Sequence, residues 1–314
     1  VCTPCALGKV GTYGQSSCKD CKAGYYTRDD NSTCDACPHG KYLDQPLQTS
    51  EESCRNCTHG RYSSATGVSS AIHCNACSAG KYSQKVGMTK EEACKQCGSG
   101  QHQDVSGNET CLFCKVGQYM KGNGAGNCLP CIPGMYANDT GSKSCKRCDK
   151  GKHQDVSGNE TCLLCKVGQY TNGNGAVNCL DCNSGLYQNE LGQVTCKSCK
   201  LGLYQDTIGN TTCRDCPKGF FNTAEKSAGC NAVPPGFYNV NGTSKKCDPG
   251  YFCKGKAANR TACTPGSYAT NEGSIACIEC APGTYADSVG TKNCKDCDDD
   301  SYQPEFNATK CIPV

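Results

Sequence analysis

Cysteine returns along this chain at fixed intervals. Cys-x-x-Cys pairs open at Cys2, Cys18, Cys34, Cys54, Cys74, Cys94, Cys111, Cys128, Cys145, Cys162, Cys179, Cys196 and Cys213. The interval is 16 residues twice, then 20 three times, then a steady 17. Such a period marks a repeat array, in which each unit is one small supersecondary element stacked on its neighbours. One block has been copied whole: Gln101–Cys111 recurs with a single change at Lys152–Cys162, 51 residues later. The 35 Cys in 314 residues, with no Trp and three Met, leave too few large apolar side chains for one buried core. Covalent cross-links must take that role.

Three chemistries use Cys-x-x-Cys: a disulfide framework, zinc ribbons and thiol redox catalysis. Zinc needs about eight four-thiolate sites in a compartment that keeps thiols reduced. Redox catalysis needs one motif at a helix N-terminus in a βαβ unit, not a dozen in tandem. Disulfides in an oxidising compartment fit the composition and the glycosylation sequons below.

Pairing the second Cys of each unit with the first of the next gives Cys5–Cys18, Cys21–Cys34, Cys37–Cys54 and onward to Cys216–Cys230. This pattern absorbs the loss of a second Cys at Val233, because Cys230 is already paired. Beyond it, Cys247–Cys253, Cys263–Cys277, Cys280–Cys294 and Cys297–Cys311 complete 17 bridges and leave Cys2 unpaired or inter-chain. A crossed pattern, first to first and second to second, remains open but leaves Val233 without a compensating change. The odd cysteine calls for a partner in an upstream repeat or a neighbouring subunit, with the upstream repeat preferred.

After the second Cys of each unit comes x-x-Gly-x-aromatic. The aromatic position holds Tyr26, Tyr42, Tyr62, Tyr82, Tyr119, Tyr136, Tyr170, Tyr187, Tyr204, Tyr268 and Tyr285, with His102, His153 and Phe221 as substitutes. The expected role is packing of a flat ring on a disulfide and the neighbouring unit. The Gly before it is expected at positive φ or at a close backbone approach. Asn123-Gly124 and Asn174-Gly175 read as hairpin-turn dipeptides. Each unit is therefore an irregular β-hairpin. Helix is limited to a turn or two, with Thr89–Ala93 the best candidate. The frame lapses around Val233-Pro234-Pro235 and resumes at Cys277. This divides the chain into tandem repeats over 1–232, an irregular repeat over 233–276 where a bend is expected, and resumed repeats over 277–314.

Sequons lie at Asn31, Asn56, Asn108, Asn138, Asn159, Asn210, Asn241, Asn259 and Asn307. Four of them, Asn31, Asn108, Asn159 and Asn210, stand three residues before a Cys, so they recur on one repeating surface. Asn56, between two Cys, is the least favourable acceptor. Net charge is +3 with Lys and Arg scattered, which gives nucleic acid no footprint. No run of 18 apolar residues spans a membrane. The chain opens inside a repeat, so a leader and an anchor are expected outside it. The five His, namely His39, His59, His73, His102 and His153, join no catalytic constellation, and Asp298-Asp299-Asp300 reads as a solvated acidic turn rather than a calcium loop. No enzyme activity, cofactor or metal is expected.

The frame Cys-x-x-Cys-x-x-Gly-x-Tyr, closed by Gly-x-x-x-Cys-x-x-Cys, resembles the ephrin-receptor-like cysteine-rich repeat of the EGF-like and tumour-necrosis-factor-receptor-like group. Cys247-Asp248-Pro249-Gly250-Tyr251-Phe252-Cys253 and Cys263-Thr264-Pro265-Gly266-Ser267-Tyr268 resemble the same arrays. The resemblance implies small disulfide-rich repeats in an elongated solenoid, on the order of 200–350 Å if straight, and transfers no catalytic residue. The expected role is a secreted, glycosylated structural protein: a building block of an extracellular fibre, coat or flagellar-hair-like appendage. The alternative is a ligand-binding or adhesion ectodomain of a cell-surface receptor, with the irregular repeat as its specialised site. Partners are then further copies or other extracellular proteins, and N-linked glycans.

Overall fold

Two residues between paired cysteines are enough for one rung of β-ladder, and that is what the chain builds. The structure is a computed structural model, and it describes residues 5–11, 17–28 and 32–314. Among the described residues, thirty-six short strands make eighteen two-stranded sheets. Helix is confined, among the described residues, to three 3-10 turns, Glu51–Ser53, Ala71–His73 and Glu91–Ala93. The third shortens the helix expected over Thr89–Ala93. All three fall in the 20-residue units, so the extra length of those units is one 3-10 turn ahead of the Cys.

One unit explains the rest. Lys115-Val116-Gly117-Gln118 makes a tight turn in which Gln118 N–H donates to the Lys115 carbonyl at 3.0 Å and Gly117 has φ +77°. Positive φ at the third turn residue is the type II signature, which glycine adopts without a Cβ clash. The turn launches Gln118–Tyr119, which pairs antiparallel with Leu129–Pro130, the two residues between Cys128 and Cys131. Cys131 N–H then donates to the Gly117 carbonyl at 2.8 Å and closes the unit.

The two strands are joined by a loop over residues 120–128, not by a two-residue turn. Asn123-Gly124 and Asn174-Gly175 are therefore not hairpin turns of the primed kind, which need positive φ at both residues; only Gly124 and Gly175 have it, each at +73°. The true example is Asn241-Gly242, at +51° and +79°. It joins Phe237–Val240 to Thr243–Lys246, four paired positions in a row.

The chain divides into two compact units. One comprises Val1–Asp149, Gln154–Leu163 and Asn174–Val177; the other comprises Lys150–His153, Leu164–Gly173 and Asn178–Val314. Within each, successive hairpins are held by three recurring backbone bonds. In the first, Gly117 N–H donates to the Ala137 carbonyl at 2.7 Å, Met120 N–H to Ser142 at 3.1 Å, and Gly141 N–H to Cys114 at 2.8 Å. In the second, Gly168 bonds Gln188, Thr171 bonds Gln193, and Gly192 bonds Cys165 in the same way. Backbone atoms therefore form most of the seam between hairpins; at Gly202 a side chain takes over, the glycine N–H donating to Asn222 Oδ1 at 2.8 Å.

The core is a row of small cells. Its members are the second Cys of most pairs, such as Cys114, Cys131, Cys165 and Cys182 at 0 % exposure, and the residue that follows the aromatic. That second position holds Thr27, Ser63, Gln103, Ala137, Gln188, Gln205 or Ala286, all buried. Strand alternation turns it inward while the preceding ring lies half out. The sequence reading did not single it out, because its occupants share no chemistry. Where it is Gln the amide is bonded at both its nitrogen and its oxygen: Gln205 Nε2 donates to the Thr212 carbonyl at 2.6 Å and its Oε1 accepts from Thr207 N–H at 3.2 Å. Gln205→Leu fills the space but strands both partners, and is expected to cost about 1–3 kcal/mol. The loss is read as faster amide exchange at Thr207, with the remote Thr291 amide as the unchanged control.

Candidate functional site

The feature that repeats most strictly is a backbone-to-backbone contact that reaches past the adjacent hairpin. Gly117 faces the Gly158 carbonyl, 41 residues on; a Cβ there would sit 1.8 Å from that oxygen. Gly100 meets Gly141, Gly134 meets Gly175, Gly151 meets Gly192 and Gly168 meets Gly209 at equivalent distances of 2.0–2.3 Å. Forty-one residues exceed two 17-residue periods, so each hairpin touches the next and the next but one. The glycine in front of the aromatic position is thus fixed by two demands together, a left-handed φ and a carbonyl where its side chain would be. Its opposite number is freer: Leu47, Lys226, Lys256 and Asn307 occupy that place at φ of 59–64°.

The aromatic position covers the disulfide of the following hairpin. Tyr26 packs on Cys37, Leu43 and Cys54, and Tyr62 on Cys77, Met88 and Cys94. Burial first, then the carboxylates of Glu51 and Asp35, push the Tyr26 phenol above its ordinary value. On the outer side the rings take cations from the paired strand: Arg214 lies 5.2 Å from the Tyr204 ring and Lys295 5.8 Å from Tyr285. At exposed sites such contacts add about 0.5–1 kcal/mol. His102 and His153 use the same position differently. Each ring donates Nδ1–H to a cystine sulfur, His102 to Cys128 Sγ at 3.3 Å and His153 to Cys179 Sγ at 3.2 Å.

The bridges run from the second Cys of one pair to the first of the next, from Cys5–Cys18, Cys21–Cys34 and Cys37–Cys54 to Cys216–Cys230, and again at Cys263–Cys277, Cys280–Cys294 and Cys297–Cys311. Cys2 lies outside the described residues. At the frame break Val233 stands in the place of a second Cys, 1 % exposed, and keeps that position's backbone bonds to Gly219 and Lys256. Cys247 occupies the same position one hairpin on, and Cys253 the buried position after Phe252, so Cys247–Cys253 joins the close of one hairpin to the first strand of the next over six residues.

The irregular repeat carries an open concavity of ≈ 530 Å³ lined by Tyr238, Asn239, Val240, Asn241, Asn259 and Arg260. Arg260 is pinned there by Asp248 and by the Tyr251 ring, 4.2 Å away. Two of its lining residues, Asn241 and Asn259, are sequon asparagines. The signal for the tight turn at its edge was the Asn-Gly dipeptide itself, visible at Asn241 but read only as a sequon.

Of the other sequons, Asn108, Asn159 and Asn210 each follow a positive-φ glycine of the loop and give their carbonyl to the hairpin before, to Ser83, Ala137 and Gln188. They recur every 51 residues, one in three hairpins. Asn138, Asn259 and Asn307 are exposed. The Asn56 side chain lies against the Gly87 turn, 2.9 Å from where a Cβ on that glycine would stand. Asn31 lies outside the described residues. Asp298-Asp299-Asp300 forms the exposed turn that launches Ser301–Tyr302.

Hairpins stapled by cystine and repeated without a common core define a disulfide-rich extracellular repeat module. A family model described as tyrosine-protein kinase ephrin type A/B receptor-like matches residues 100–144, 117–158, 134–182, 151–192, 168–211, 185–229 and 250–297. The chain belongs to this ephrin-receptor-like family. The first six matches start 17 residues apart, so each match advances by one structural hairpin. A search of curated proteins returns no match. No helix among the described residues is long and apolar enough to cross a membrane.

Proposed function

We propose that the chain is a structural building block of an extracellular assembly, covered at intervals by N-linked glycans. The observation that carries this reading is the seam. The regular hairpins spend their recurring chemistry, two half-cystines, one glycine and one ring, on holding their neighbours. The concavity at Tyr238–Arg260 is lined by two glycan acceptors. Glycans at Asn108, Asn159 and Asn210 would shield edges that have no strand partner. Electron microscopy of native material tests the proposal. Filaments or a coat built from the chain support it. Dispersed particles, or stalks tethered singly to a membrane, refute it in favour of a receptor or adhesion ectodomain. The departure of the irregular repeat from the frame supports that second reading, with the concavity as its contact surface. Intact mass before and after glycosidase is expected to fall by several glycans. A mass equal to the bare polypeptide removes the glycan part of the proposal.

A further inference from the structure

Among the described residues, two groups of metal-ligating atoms stand close enough to share an ion: His102 with Cys114 and Cys128, and His153 with Cys165 and Cys179. In each, one imidazole nitrogen and two sulfurs lie within 4.8 Å of one another. One group falls wholly within the first compact unit and the other within the second. They are copies of one arrangement, carried by the 51-residue duplication, and count as one observation. The sulfurs are at present a cystine, which has no thiolate to offer. A tetrahedral thiolate–metal centre with bonds of about 2.3 Å places its sulfurs roughly 3.8 Å apart. Opening the S–S bond therefore requires only a side-chain movement, while the imidazole already faces the pair.

The geometry points to a thiol-gated site for a soft divalent cation, formed twice in this chain by His102, Cys114 and Cys128 and by His153, Cys165 and Cys179. The gate is a dithiol. Its thiolate attacks Cys128 Sγ, which is half-buried where Cys114 is enclosed; the S–S bond breaks and Cys114 leaves as a thiolate. The second thiol of the reagent then displaces Cys128 and closes a cyclic disulfide. Two electrons pass from the dithiol to the protein. The cation takes both sulfurs, their two protons go to solvent, and the neutral imidazole moves its proton to Nε2 so that Nδ1 can ligate. Water fills the fourth position. Elsewhere in the 17-residue units a tyrosine holds the place of the histidine at Tyr119, Tyr136, Tyr170, Tyr187 and Tyr204. Those bridges open to bare dithiol pairs with no nitrogen donor. The hairpin survives the opening because its seam is backbone.

The test uses the full chain, a limiting dithiol and Cd²⁺ as the probe, followed by the cadmium–thiolate absorbance. Alkylation and peptide mapping then show which cysteines the cation shields. Wild-type protein is expected to take up two tightly held Cd²⁺, shielding Cys114, Cys128, Cys165 and Cys179. His102→Tyr, which installs the usual occupant and so preserves packing, is expected to hold one. The double variant with His153→Tyr holds none at the same free Cd²⁺, its affinity being lower by tenfold or more. Equal shielding of every opened bridge, or equal affinity in wild type and double variant, overturns the proposal. So does a chain whose bridges open only with general unfolding.

Discussion

Alanine at Gly117 is expected to destabilise its neighbourhood by roughly 2–5 kcal/mol, the sum of about 1–2 for a left-handed residue with a Cβ and about 1–3 for forced overpacking. The added carbon would lie 1.8 Å from the Gly158 carbonyl oxygen. That atom is backbone and belongs to the next hairpin but one, so relief on one side breaks the seam on the other. Gly122 and Gly173 are the controls: nothing lies within 4 Å of a Cβ there and neither has positive φ. Alanine at either should stay within about 0.5 kcal/mol of wild type. Gly158→Ala falls between them. It carries the cost of its φ of +77°, but its nearest neighbour would be Pro130 Cβ at 3.5 Å. Secreted yield and limited proteolysis of the four variants give the ranking. If Gly117→Ala and Gly122→Ala behave alike, the close approach has no energetic weight.

Removal of one whole cystine, Cys131→Ala with Cys145→Ala, is expected to cost about 3 kcal/mol, the loop-entropy value for a bridge of this span. The damage should stay local. Cys131 and Cys145 are 14 residues apart, and the hairpins they join touch only the next and next but one, so exchange protection should fall there and persist in the distant repeats. The single variant Cys145→Ala should secrete less well than the double. It leaves Cys131 without its partner, a thiol that can attack neighbouring bridges while the chain is still folding. Protection lost evenly along the chain, or a double variant no better than the single, would show that the hairpins are not coupled in this short-range way.

Much of the architecture is legible in the sequence because cysteine and glycine each do one thing in a repeat. A Cys-x-x-Cys period sets the unit and its residue count, and Gly before the aromatic announces the positive φ found at Gly117 and Gly168. Three things stay hidden, each for a physical reason. The buried position after the aromatic accepts Thr27, Gln188 or Ala286 alike, since each cell asks only for modest volume and satisfied polar atoms. The contact between Gly117 and Gly158 is invisible because a carbonyl oxygen has no letter in the sequence. Asn-Gly at Asn123 and at Asn241 look the same, yet only the second has strands long enough on both sides to draw the turn tight. Of the candidate site, the histidines are legible as residues in a ring position. Their approach to the cystine of the following hairpin depends on stacking, which no single unit encodes.

The backbone seam also bears on how such a chain can change over generations. An interface built from side chains commits each partner to the other, so a copied segment arrives among strangers. Here the bonds at Gly117, Ala137 and Cys114 are N–H to carbonyl, and most of the 17-residue hairpins present the same ones. A copied block finds its docking surface ready on both sides, provided its length is a whole number of periods. The near-identical stretch that ends at Cys111 and again at Cys162 has that length, three periods of 17. Gene-level slippage in such an array is thus filtered by arithmetic rather than by fit, and the surface residues of each hairpin are left free to drift.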